Sequence, residues 1–131
     1  MRQNILPFAI LLTLLFLVAA NAGEVQVKNM TYSDDYLIKM LDNENLGLRT
    51  SAAQLLGERK CLQAVDPLVK MMKHDKEYVA RIVAAIVILK ISDYSKIEVI
   101  REQALREKNK TVRHVLAGVF TEMQKQLIAQ K

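Results

Sequence analysis

Few side chains in this sequence are of a type suited to covalent or acid–base chemistry, and they lie far apart. Cys61 is the only cysteine. It follows Glu58, Arg59 and Lys60, and neighbouring cations lower a thiol's pKa toward the reactive thiolate. With no second cysteine to resolve it, a redox cycle within one chain is excluded. Cys61 is left with three readings: a small buried hydrophobe, an intermolecular thiol in an exported protein, or the centre of a thiol- or metal-dependent accessory enzyme. Of the two histidines, His74 sits in a turn beside Asp75, and His114 follows Arg113 with no acid four residues away, so neither has the three or four convergent ligands a metal needs. No H-E-x-x-H, C-x-x-C or calcium-loop pattern occurs. The four glycines, Gly23, Gly47, Gly57 and Gly118, are isolated, so no glycine-rich phosphate loop is present. The sequence therefore predicts no catalytic, cofactor or metal residues and a chain that is not an enzyme.

What recurs is arginine. Arg49, Arg81 and Arg113 stand 32 residues apart, and their surroundings repeat in the same frame. Leu48 to Gly57 aligns without gaps on Ala80 to Leu89 and on the stretch that begins at Val112. Self-similarity at this period signals stacked helical repeats. A polar acceptor precedes each arginine by six residues: Asn43, Asp75 and Glu107. A guanidinium near a helix N-terminus is unfavourable against the helix dipole, so its recurrence requires a partner. A carboxylate or amide from the turn supplies an acceptor that matches its fork.

The same frame defines the elements that must hold these groups. Asp34–Met40, Asp66–Met72 and Glu98–Ala104 are equivalent first helices, with apolar pairs such as Leu68 and Met72 at i and i+4. Each begins near an acid that complements the helix dipole, and Pro67 sits in a first turn, where its missing amide costs nothing. Short polar turns (42–45, 74–77, 106–110) lead into second helices that carry the arginines. Ala52, Ala53, Ala84, Ala85 and Ala117 let those helices approach closely, while Leu55, Leu56, Val87 and Ile88 fill the core. Only Val25 to Val27 alternates like a strand, and it is too short for a sheet. The expected fold is all-α: a short right-handed α-solenoid of three helix pairs, with units at 33–60, 61–92 and 93–126 and a tail at 127–131.

Leu48-Arg49-x-x-Ala52-Ala53-x-x-Leu56-Gly57 resembles the second-helix pattern V-R-x-x-A-A-x-x-L-G of the HEAT repeat family, in particular the short repeats also found in phycobilisome lyases. The likeness covers about 33–126. It implies that turn acids and arginines form a structural ladder between neighbouring repeats, with Asn43, Arg49, Asp75, Arg81, Glu107 and Arg113 as its members. The sequence departs from the pattern at Asn43, Leu116, Leu89 and Thr121. Some lyase relatives handle bilin chromophores, but an export signal argues against that chemistry here.

That signal is the leader at 1–22. Arg2 supplies a positive start, Ile5 to Ala20 is apolar apart from Pro7 and Thr13, and Ala20-Asn21-Ala22 is a small-residue cleavage site before Gly23. A retained membrane anchor competes with this reading, but the run is shorter than a bilayer span needs. A flexible segment, 23–32, follows. The chain is expected to be exported, periplasmic or secreted, with no membrane association after cleavage. Asn29 and Asn109 open N-x-T glycosylation triplets. The net charge of +5 becomes +4 without Arg2. The basic residues are interleaved with acids, which points away from nucleic acid.

Comparing equivalent positions gives the functional expectation. Thr50 and Gln54 in the first unit become Ile82 and Ile86 in the second, then His114 and Gly118 in the third. By the HEAT resemblance, second helices line the concave face. Ile82 and Ile86 would then form an apolar strip there, with Gln54, Lys90 and His114 as its polar rim. A contiguous apolar strip marks a protein-partner site. Cover by 23–31, burial of the whole helix, or a homodimer are the competing explanations.

Overall fold

The computed structural model describes residues 31–131. Among them are six α-helices and no strand. Helix α1 (Asp34–Met40) is capped by Ser33, whose Oγ accepts the Tyr36 amide at 3.2 Å. Asn45 caps α2 (Leu46–Glu58) by accepting the Leu48 amide at 3.1 Å. Helices α3 (Val65–His74) and α4 (Tyr78–Ile91) form the second pair. In the third pair, α5 (Ile97–Arg106) precedes α6 (Lys110–Ala129), where Asn109 caps the Thr111 and Val112 amides. A short polar side chain at each of these caps satisfies amides that the first helical turn leaves open.

Two features between the pairs were not expected from the sequence. Single 3-10 turns at Leu62–Ala64 and Tyr94–Lys96 lead into α3 and α5, and each follows a helix stopped by a residue with positive φ, Lys60 at 51° and Ser92 at 65°. At the end of α2, Cys61 N bonds to Leu56 O at 3.0 Å and Lys60 N to Gly57 O at 3.1 Å, the paired bonds of a Schellman stop. The expected tail at 127–131 is corrected, because α6 continues to Ala129.

Packing follows the 32-residue frame. Each first helix lies on its own second helix, α1 on α2, α3 on α4 and α5 on α6, while α2 packs on α4 and α4 on α6. The core runs unbroken along the stack through Leu37, Leu56, Leu68, Met72, Ile88, Ile100, Leu116 and Met123. Ala53 and Ala85 are fully buried, as close contact between successive second helices demands. Gly57 is equally constrained. A Cβ placed there would lie 2.9 Å from Val87 Cγ1 on α4. Tyr32–Lys131 forms one compact unit. The leader and most of the 23–32 segment lie outside the described residues. No helix among the described residues is long and apolar enough to cross a membrane.

Candidate functional site

Two of the three arginines, Arg49 and Arg81, interlock neighbouring units. Arg49 donates through Nε and Nη2 to both carboxylate oxygens of Asp75, at 2.8 and 3.0 Å, and through Nη1 to the carbonyls of Asn43 and Glu44 at 2.8 and 2.9 Å. Arg81 repeats the arrangement one unit on. Its Nη2 reaches Glu107 Oε1 at 3.2 Å and its Nη1 the Asp75 carbonyl at 2.8 Å. Each guanidinium thus takes a side-chain acid from the next turn and a main-chain carbonyl from its own. Pairing with the side chain of its own turn, the local reading, is corrected. The ladder between repeats implied by the family resemblance is what forms.

The acceptor six residues before each arginine has its own local reason. Asn43 Oδ1 accepts the Asn45 amide, Asp75 Oδ1 the Glu77 amide and Glu107 Oε1 the Asn109 amide, each at 2.9 Å. The side chain two residues ahead of a backbone amide fixes the turn. Asn43 keeps that task but contributes only its carbonyl to the ladder, since no earlier arginine lies against it among the described residues.

Both rungs are buried, with side-chain exposures of 6% and 7% for Arg49 and Asp75 and 14% and 7% for Arg81 and Glu107. The second is the looser, and Arg81 Nε is buried without an acceptor. Burial pushes the Glu107 carboxyl up, but the Asn109 amide and the Arg81 guanidinium outweigh it and hold the group below its ordinary value. Carboxylates at first-helix starts also pair, Asp34 within its own unit with Arg59 at 2.7 Å and Asp66 across units with Lys96 at 2.8 Å. The bond from Arg59 is the main reason Asp34 titrates below its usual range, and Asp66 holds the Lys96 ammonium above its own.

The residues expected to bind a partner lie along the row of second helices. Gln54 on α2 and Ile86 on α4 are exposed, Ile86 to 48%, and so is Gly118 at the equivalent place on α6. One turn earlier, Ile82 is half-buried against the core and His114 is exposed. Lys90 is exposed at its head, while its Cδ lies 3.5 Å from a Cβ built on Gly57, so its stem crosses toward α2. The strip is therefore narrower than two equal isoleucines, with Ile86 outermost. Burial of α4 all round, one of the competing explanations, does not occur. Its Tyr78, Val79 and Ile86 are exposed.

Cys61 is free and buried at the corner where α2 ends, and its thiol donates to the Asp34 carboxylate, adding to the pull of Arg59 on that group. A bridge to another chain, or a thiolate offered to a substrate, would require that corner to open. His74 is exposed at the end of α3, beside the depression that Arg49 and Asp75 also line, and no three His, Cys, Asp or Glu side chains converge on a metal-sized space among the described residues. An apolar patch at the first unit escaped the sequence reading. Tyr32 and Tyr36 stack with ring centroids 5.0 Å apart, and with Met40, Leu48 and Leu55 they line a shallow pocket. Leu55 had been assigned to the core from its place in the repeat, but the first unit has no preceding helix over that position among the described residues.

Stacked helix pairs locked by a buried arginine–acid ladder define a repeat scaffold, whose working parts are surfaces. The model of the HEAT repeats matches residues 35–119, and the chain belongs to the HEAT repeat family. Such repeats generally mediate protein interaction or scaffolding. No curated protein matches the sequence significantly. Among solved structures, epoxyqueuosine reductase with a tRNA-Tyr epoxyqueuosine-modified tRNA stem loop shares the fold, with a TM-score of 0.55 and 23% identity over 59% of this chain. The match spans 20% of the reductase chain.

Proposed function

We propose that this protein is an exported interaction or scaffold module that binds a protein partner along its row of second helices and carries no reaction of its own. Ile86 carries the reading. A large aliphatic side chain stands exposed between Gln54 and Gly118, in the middle of the inner layer of a repeat scaffold, where a solvated helix would hold a polar residue. Ile82 below it, the Lys90 head and His114 complete an apolar centre with a polar rim, the usual anatomy of a small recognition surface. The leader at 1–22 supports export, and mass spectrometry of the chain from its own cell is expected to find Gly23 at the N-terminus.

The test places a photocrosslinking benzoylphenylalanine at position 86 or, as a control, at Lys73 on the first-helix layer. Irradiation in the producing cell should give a discrete protein adduct from position 86 alone. Adducts from both positions, or from neither, would remove the inner face as the binding surface. A homodimer on this face would appear as an adduct of twice the chain mass.

A further inference from the structure

The two buried rungs of the ladder are filled copies of a site that occurs a third time, unfilled. Arg113 is held by its own turn as the other two arginines are, with Nη1 on the Glu107 carbonyl at 3.0 Å, against 2.8 Å for Arg49 on Asn43 and 2.8 Å for Arg81 on Asp75. What it lacks is the acid of a following unit. Arg113 is exposed and makes no ion pair among the described residues, whereas Arg49 and Arg81 each hold a carboxylate.

The surface around it carries the same mark. Ala117 is exposed, while its equivalents Ala53 and Ala85 are fully buried beneath the next second helix. Phe120 is half-buried where Leu56 and Ile88 are fully buried. Ala117 and Phe120 therefore leave small and apolar surface open where a neighbouring helix lies elsewhere, beside the polar Thr121 at the place of Gly57. The rim is positive as well. Arg106, Lys108 and Lys110 are exposed in the turn that leads to Arg113 and make no ion pair among the described residues, and the one acid in that turn, Glu107, is committed to Arg81. An unbalanced group of cations leading to a pre-positioned guanidinium attracts carboxylates and gives them a bidentate seat.

We propose that the face centred on Arg113 docks a turn of a partner protein that presents Asp or Glu, as Asp75 is presented to Arg49. A second copy of this chain fits the seat poorly. Its corresponding turn offers Asn43, an uncharged amide, at the place where Asp75 and Glu107 offer a carboxylate to Arg49 and Arg81. This surface lies on the last described unit and does not depend on the reading of the row of second helices.

The test uses the chain's own filled rung as the probe. A capped peptide of the sequence His-Asp-Lys-Glu-Tyr-Val-Ala, copying residues 74–80, is titrated into the nitrogen-15-labelled chain while the arginine Nε–H signals are followed by NMR. The Arg113 signal is assigned by its loss in Arg113→Lys, a surface change that leaves the fold intact. It should shift saturably, with Arg49 and Arg81 unmoved because their seats are taken, and added salt should weaken the effect. Replacing the peptide's Asp by Asn should weaken binding about tenfold or more, as expected for removal of a charge-assisted hydrogen bond. Absence of a saturable Arg113 shift at millimolar peptide, or equal binding of the Asn peptide, overturns the proposal. A shift that grows with the concentration of the chain alone would assign the face to a second copy and overturn it equally.

Discussion

Asp75 does three things at once. Its carboxylate closes its own turn on the Glu77 amide, forks Arg49 of the preceding unit, and leaves its carbonyl for Arg81 of its own unit. A buried pair of this kind gains little net energy over an apolar contact, but breaking it from one side strands the other charge. Asp75→Ala should therefore lower unfolding stability by about 3–5 kcal/mol in urea denaturation. Asp42→Ala removes an exposed pair with Lys70, whose side chains are 66% and 74% accessible, and should cost less than about 1 kcal/mol. Equal effects of the two would mean that the ladder is not what joins the units. The arginine period and the acceptor six residues earlier were legible in the sequence because both are local repeats. Which acid meets which arginine was not, since that register depends on how one unit stacks on the next, and main-chain carbonyl acceptors leave no mark in residue identity. The narrowing of the isoleucine strip was hidden for a similar reason. Ile82 and Ile86 read alike in sequence, and only packing against the core separates them.

At the level of elements, helix identity was legible almost residue by residue where the frame repeats, as for α1, and less so at the joints. The 3-10 turns and the positive-φ residues Lys60 and Ser92 carry no glycine or proline to announce them. The two glycines within second helices then separate packing from propensity. Gly57 meets Val87 across the contact of α2 with α4, so Gly57→Ala should destabilise by about 1–3 kcal/mol through overpacking, despite alanine's better helix propensity. Gly118 has nothing within 4 Å of a built Cβ on an exposed stretch of α6. Gly118→Ala should therefore stabilise by about 0.5–1 kcal/mol. Thermal and urea unfolding of both variants checks the signs. Gain of stability at both positions would show that α2 and α4 do not approach as closely as the Gly57 contact requires. A Cβ on Gly118 would meet none of the described residues and would point onto the proposed binding row, so the stabilised Gly118→Ala variant also serves as a probe of that surface.

Across the described residues, the main contacts run within a unit and between neighbouring second helices, and stability should vary along the chain as in a one-dimensional array. Helix α4 is the centre of that array. It packs on α2, α3 and α6, and it buries Ala80, Ala84, Ala85, Val87, Ile88 and Ile91. Helix α1 is 7 residues long, packs mainly on α2, and buries Leu37 alone. The last turns of α6 beyond Met123 are largely exposed. Local opening follows the number of neighbours an element would have to leave. Amide hydrogen exchange should therefore be slowest in Ala84–Ile88, intermediate in α2 and the first half of α6, and fastest in α1 and after Met123. Uniform protection would instead mean that the buried rungs couple all three units into one opening event, with the ladder outweighing nearest-neighbour packing. The two outcomes also differ in what a ligand at either proposed surface would do. In a graded stack, a partner on Arg113 would slow exchange in α6 and leave α1 unchanged, whereas in a single cooperative unit it would raise protection from end to end.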